Sequence, residues 1–155
     1  MTFLLTRPAG VHGNSAHDSP TLQRHVRALV VSPELEARKP LLQTLEELRV
    51  DTLVCSGRAQ AEEVLSKQPV EIVFCDERLP DGCYSDLIRP NPAQYRVPRV
   101  VVTTRTGDWD LYFEALGKGA FDVIRCPYYA TDVEMTVIRA VREEHGQCWS
   151  HDAAA

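Results

Sequence analysis

An aspartate at the end of a short apolar run is the residue of this sequence best suited to chemistry. The run at 72–75 is rich in β-branched and aromatic residues, is too short for a typical helix, and is followed directly by Asp76. Such a run predicts a strand that is buried on both faces. In open parallel α/β sheets, ligands and chemistry lie at the carboxyl ends of the strands. We therefore expect Asp76 to face a functional crevice, although an aspartate that caps a turn produces the same pattern.

Strand-like and helix-like segments alternate along the rest of the chain. Short apolar runs predict five strands, and segments with apolar residues at helical spacing predict the helices. The predicted strands are 27–31, 53–55, 72–76, 100–104 and 121–124. The predicted helices that follow them begin near Pro33, Ala59, Tyr84, Gly107 and Thr131. Strands that alternate with helices imply right-handed crossovers and a parallel sheet covered on both faces.

The first helix has a start signal and an internal proline. Ser32 is expected to be its N-cap, Pro33 its first residue and Glu34 an acidic residue of its first turn. Pro40 has no backbone N–H, so we expect it to bend or interrupt this helix.

Composition restricts the kind of protein and its partners. The chain has 155 residues and a formal net charge of −5, and it lacks an apolar stretch long enough to span a membrane. Residues 28–155 carry a net charge of −7, which argues against nucleic acid as the main partner. Five irregularly spaced cysteines argue against a disulfide framework. We predict a cytoplasmic protein with a flexible leader at 1–26, one domain at 27–145 and a tail at 146–155.

Four features of this order resemble the receiver domains of bacterial response regulators. They are Asp76 with the following Leu79-Pro80-Asp81-Gly82, the valine-rich strand ending in Thr103-Thr104, the Gly119-Ala120 turn, and the X-Pro-aromatic segment Cys126-Pro127-Tyr128. The resemblance implies a flavodoxin-like (βα)5 fold, a three-layer α/β/α sandwich whose five-stranded parallel sheet has the order 2-1-3-4-5. It also implies a cis peptide bond between Cys126 and Pro127.

The resemblance also implies roles for individual residues. In that family the aspartate after the third strand accepts a phosphoryl group from a histidine kinase, while Mg²⁺ and nearby donors neutralise the charge of the phosphate oxygens. Asp76 is thus the candidate phosphoacceptor and the candidate metal ligand. The family also needs a hydroxyl after the fourth strand. Thr103 matches it by strand register, and Thr104 matches it when residues are counted back from Gly119.

Three charged groups of the family's site are missing. Ser32 and Pro33 replace the two acidic residues after the first strand, and Cys126 replaces the lysine before the proline. Mg²⁺ binds through one or two carboxylates together with phosphate oxygens, so Asp76 is expected to hold it weakly, if at all. Phosphoryl transfer to Asp76 should therefore be slow or absent.

Neighbouring charged residues are candidate substitutes for the missing groups. Glu34 could turn towards the site, although acids of a first helical turn commonly just offset the helix dipole. Arg78 could supply positive charge, although a solvated loop residue or a simple salt bridge to Asp76 fits equally well. Arg105 is a further candidate, whereas Arg125 should face away from the pocket, because strand side chains alternate.

Three functions are compatible with these patterns. The first is a stand-alone, atypical receiver that binds a histidine kinase, another signalling protein or a second copy through its fourth helix, fifth strand and fifth helix. The second is a fully phosphorylatable receiver with an unusual metal site. The third is a small enzyme or cofactor-binding domain with thiol chemistry at Cys126. The lack of a glycine-rich loop after the first strand argues against this third function. In the first two, no enzyme activity is expected beyond phosphoryl transfer to Asp76.

Overall fold

The computed structural model describes residues 25–89 and 97–146. Nearly all of the predicted leader and tail, and most of the proline-rich connection before the fourth predicted strand, lie outside these residues.

The described residues form seven strands and five helices. The strands are β1 (Arg27–Val31), β2 (Asp51–Cys55), β3 (Ile72–Asp76), β4 (Arg78–Leu79), β5 (Gly82–Cys83), β6 (Arg99–Thr104) and β7 (Asp122–Arg125). The helices are α1 (Leu35–Glu47), α2 (Arg58–Lys67), α3 (Tyr84–Ile88), α4 (Trp109–Gly117) and α5 (Ala130–Gly146).

Five of these strands form one parallel sheet in the order β2-β1-β3-β6-β7, while β4 and β5 pair as a separate antiparallel hairpin. When only the strands of the large sheet are counted, the order is 2-1-3-4-5. The predicted fold class is therefore confirmed.

Side-chain alternation along the strands builds a core on each face of the sheet. In β1, Leu29 and Val31 belong to the cluster that also holds buried residues of α2, α3 and α4. Ala28 and Val30 belong to the opposite cluster, with α1 and α5. Phe74 in the central strand is one of the largest fully buried side chains, and such a burial contributes about 1.5–3 kcal/mol. The result is a three-layer α/β/α sandwich.

The start of α1 differs from the prediction. The helix begins at Leu35 with Glu34 as its N-cap, so the expected N-cap at Ser32 and first helical residue at Pro33 are wrong. The segment 32–34 is not helical, and Glu34 itself has an extended backbone. The Ser32 hydroxyl instead donates to Asp76 at the end of β3. The helix α1 runs through Pro40 without interruption, and the expected bend at this residue stays a prediction.

Pro40 is tolerated because it removes a single backbone donor near the start of the helix. The carbonyl that loses its partner belongs to Glu36, whose residue is exposed and can be hydrated.

The loop after β3 is fastened to α2. Asp81 accepts hydrogen bonds from the backbone N–H groups of Arg58 at 2.7 Å and Ala59 at 3.0 Å. These bonds cap the amino end of α2, whose own N-cap, Gly57, has no side chain to do so. They also hold the pKa of Asp81 below its ordinary value.

Among the described residues, no helix is both long enough and apolar enough to cross a membrane.

Candidate functional site

Asp76 lies at the carboxyl end of β3, half-buried, and pairs in register with Thr103 of the neighbouring strand β6. Its Oδ1 accepts a hydrogen bond from the Thr103 hydroxyl at 2.7 Å. Its Oδ2 accepts one from the Ser32 hydroxyl at 2.5 Å. Each carboxylate oxygen therefore has its own neutral donor.

Ser32 links this carboxylate to the beginning of α1. Its hydroxyl donates to Asp76 and accepts a bond from the backbone N–H of Glu34 at 3.2 Å. The residue is almost completely buried, whereas the adjacent Pro33 is exposed. The two positions that should carry acidic residues thus contribute one hydroxyl donor and no carboxylate.

The structure distinguishes the two candidate threonines. Thr103 contacts Asp76, while the Thr104 hydroxyl donates to Glu77 at 3.3 Å and lies 3.1 Å from the hydroxyl of Thr106. Thr104, which matches the family's hydroxyl when residues are counted back from Gly119, therefore does not lie at the Asp76 carboxylate. Successive side chains of a strand point to opposite faces, so only one of the two can reach Asp76.

Cys126 and Tyr128 close the other side of the site. The peptide bond between Cys126 and Pro127 is cis, as predicted. Burial raises the pKa of the Cys126 thiol, although a bond with the Tyr128 hydroxyl acts in the opposite direction. Burial also raises the pKa of Tyr128, and its bond with Cys126 raises this pKa further, whereas a bond with Thr103 lowers it. The phenol therefore interacts with both the thiol and the Thr103 hydroxyl that holds Asp76.

Sequence reasoning missed Tyr128 as a site residue. Its place in the X-Pro-aromatic segment, two residues after the candidate position Cys126, was the available signal.

The charged candidates do not converge on Asp76. Glu34 forms an ion pair with Arg105, and both side chains are at least half exposed. Arg78 is exposed and pairs through its backbone with Cys83; among the described residues, no ion pair joins it to Asp76. Arg125 packs against Gly107, in agreement with its predicted position outside the pocket.

No protein-family model matches the chain. The response regulator protein PilR of Pseudomonas aeruginosa is 31% identical over 116 residues, which cover 75% of this chain and 26% of PilR. The signal receiver domain of an HD domain-containing protein from Pseudomonas fluorescens superposes with a TM-score of 0.71 at 20% identity, over 81% of this chain and 93% of that one. The receiver domain of NtrC4, solved as a beryllofluoride-activated dimer, has a TM-score of 0.68 at 25% identity, over 76% and 97%.

The chain is a response regulator receiver domain. It spans about a quarter of the length of the curated relatives it matches. Receiver domains act in two-component signalling, and this one has their sheet order with an aspartate at the end of the central strand.

The receiver's site has a different charge distribution from the one that the family resemblance implies. Within residues 25–89 and 97–146, no three His, Cys, Asp or Glu side chains come together as a metal-binding set. Magnesium requires hard, preferably anionic oxygen ligands, so one carboxylate with two hydroxyl donors on it fits this ion poorly.

A shallow groove lies beside the site, between α1 and the loop after β7. Its volume is about 340 Å³, and it is lined by Glu36, Ala37, Pro40, Arg105, Cys126, Pro127 and Tyr128. Asp76 is not part of this lining.

Proposed function

We propose that this receiver signals by binding other proteins in a form that does not depend on Mg²⁺-assisted phosphorylation of Asp76. The observation that carries the proposal is the carboxylate held by the neutral hydroxyls of Ser32 and Thr103. An acyl phosphate forms only if the charge that spreads over the phosphate oxygens is neutralised. Here the positions for the acidic pair and the lysine hold Ser32, Pro33 and Cys126.

The size of the deficit supports this proposal. Loss of a single charge-stabilising donor in comparable sites costs about 2.7–4 kcal/mol, or a factor of roughly 10²–10³ in rate. This site lacks both the lysine and a second carboxylate for the metal. The ion pair between Glu34 and Arg105 also occupies two of the charged groups that were candidate substitutes for them.

The binding surface in this proposal is the α4–β7–α5 face, formed by α4, β7 and α5. Its partner is a histidine kinase or another signalling protein, and its site of action is the cytoplasm. The prediction that the domain acts by itself stays a prediction, since the chain spans only about a quarter of its curated relatives.

Incubation with acetyl phosphate and Mg²⁺, followed by intact-mass spectrometry, tests the proposal. The wild-type protein should gain no phosphoryl group, and neither should Asp76→Asn. Restoration of the charged groups in a triple variant (Ser32→Asp, Pro33→Asp and Cys126→Lys) should allow an adduct of one phosphoryl group on Asp76. An adduct on wild-type Asp76 at the same rate as on the triple variant would contradict the proposal and favour a phosphorylatable receiver.

The enzyme alternative is disfavoured by the surroundings of Cys126. Thiol catalysis needs a thiolate, usually stabilised by a neighbouring base or positive charge. Burial instead raises the pKa of this thiol, and its nearby partner is the phenol of Tyr128.

A further inference from the structure

Three aromatic side chains on α4 form a preassembled surface, which we name the α4 aromatic patch: Trp109, Tyr112 and Phe113. Trp109 is 70% exposed and Phe113 is 65% exposed. Their ring centroids lie 6.2 Å apart in a stacked arrangement. Tyr112 meets both rings nearly at right angles, with centroid distances of 5.8 Å to Trp109 and 5.6 Å to Phe113. Because the rings already contact one another, little side-chain freedom remains to be lost on binding.

The fold itself does not require these side chains. The opposite side of α4 buries Leu111 and Ala115 in the core, so the helix is anchored without the patch. Contiguous exposed apolar surface on a small domain marks an interaction site, and Trp and Tyr are enriched at the energetic centres of protein interfaces.

Acidic groups border the patch. Asp108 and Asp110 flank Trp109, and the carboxylate of Asp108 caps α4 by accepting a bond from the backbone N–H of Asp110 at 2.9 Å. Neither carboxylate forms an ion pair among the described residues. Glu114, by contrast, is paired with Lys118. Residues 108–118 carry a net charge of −2, and Arg125, which packs against Gly107, offsets only part of it.

We propose that the α4 aromatic patch binds a basic amphipathic segment of a partner protein. Apolar side chains of that segment would cover the rings of Trp109 and Phe113, and its lysine or arginine side chains would face Asp108 and Asp110. This inference rests on the proposed function, because it names the partner chemistry of the α4–β7–α5 face. Complementary charge around an aromatic centre speeds association and rejects wrong partners.

A second copy of the chain is a poorer occupant. A two-fold interface places the same patch on both sides. Both sides of the interface would then carry the net charge of −2 of residues 108–118, so the two surfaces would lack the charge complementarity that favours association.

Fluorescence titration tests the proposal in a Trp149→Phe background, which leaves Trp109 as the single tryptophan of the chain. The probe is a synthetic amphipathic helical peptide with leucine on one face and lysine on the other. Its matched control has glutamate in place of every lysine. The lysine peptide should shift Trp109 emission to shorter wavelength, with an affinity that falls as salt is raised, and the glutamate peptide should bind at least about tenfold more weakly.

Calorimetry on variants locates the binding. Phe113→Ala should lower the affinity for the lysine peptide by about tenfold or more, as expected for an aromatic hot spot. Asp110→Asn should lower this affinity by about threefold and make it less dependent on salt concentration. Val54→Ala is the control, because Val54 is 45% exposed but lies in β2, at the edge of the sheet opposite β7, and it should leave the affinity unchanged.

Three results would overturn the inference. They are the absence of binding both with and without acetyl phosphate and Mg²⁺, equal binding of the lysine and glutamate peptides, and a wild-type dimer in light scattering that Phe113→Ala converts to monomer. The last result would assign the patch to a second copy.

Repetition of the titration with acetyl phosphate and Mg²⁺ separates the two proposals. If these reagents create the affinity in the wild type but not in Asp76→Asn, the α4 aromatic patch stands and the phosphorylation-independent function falls. If the patch binds no peptide in either condition and no phosphoryl adduct forms, the inference falls and the proposal for Asp76 is untouched.

Discussion

Replacement of Asp76 by alanine should destabilise the protein, because this carboxylate is the acceptor for two nearly buried hydroxyl groups. Ser32 is 2% exposed and Thr103 is 4% exposed, and both donate to Asp76. A buried donor left without its partner costs about 1–3 kcal/mol. Water can enter at the half-buried Asp76 position and Tyr128 lies beside Thr103, so we expect a total loss of about 2–3 kcal/mol.

A loss of this size lowers the Tm of a domain of this length by roughly 5–10 °C. Circular dichroism during thermal and urea unfolding, at neutral pH and without divalent cations, measures it. Thr103→Val should destabilise the wild-type protein but have a smaller effect in an Asp76→Ala background, because the two residues share one interaction. Glu46→Ala, at an exposed position of α1, is the control.

An Asp76→Ala variant as stable as the wild type, or more stable, would refute this reasoning. It would show that the carboxylate does not hold the two hydroxyls in solution, and the proposed function would lose its main support.

Other measurements test separate parts of the structure. Asp81→Ala should lower the Tm at neutral pH. The difference in Tm from the wild type should close as the pH falls below 3.8, the ordinary pKa of this carboxyl, because a carboxyl whose pKa is lowered by folding stabilises the fold only while it is ionised. A difference that stays unchanged in acid would contradict the capping role. Cys126 should react with iodoacetamide at pH 7 more slowly than a small free thiol, as followed by peptide mass spectrometry, since burial raises its pKa; faster reaction would revive the enzyme hypothesis. Arg105→Ala should change the free energy of unfolding in urea by less than about 1 kcal/mol, because its ion pair with Glu34 is exposed; a larger loss would assign that pair a structural role.

The sheet could be predicted from the sequence because its strands are buried on both faces. Runs such as 72–75 and 100–102 contain only residues that need burial, and their spacing leaves room for one helix between successive strands. The hairpin of β4 and β5 could not be predicted, since two-residue strands have no periodicity. The turn residue Asp81 was visible, but its bonds to α2 connect positions more than twenty residues apart.

The site was predictable as a set of positions rather than as a set of contacts. Placement of Ser32 and Cys126 near Asp76 follows from the order of the strands. The direction of each hydroxyl does not, because the choice between Thr103 and Thr104 depends on a register shift of a single residue. The start of α1 was misplaced for a related reason. Serine is a residue type that favours the N-cap position, but the Ser32 hydroxyl donates to Asp76, which is 44 positions away. Local propensity does not include that interaction.

The hydrogen bond that Ser32 donates to Asp76 restricts how this protein could acquire a metal-dependent site by mutation. An acidic residue at this position would remove the donor from Asp76 and place a second negative charge beside it, before any cation is available to hold both. A carboxylate at position 32 could still accept the bond from the Glu34 N–H at the start of α1, so the loss falls on the donor role towards Asp76. A change of Cys126 to lysine would need to come first, because its ammonium group would offset that repulsion. The order of the substitutions would therefore matter as much as their identity.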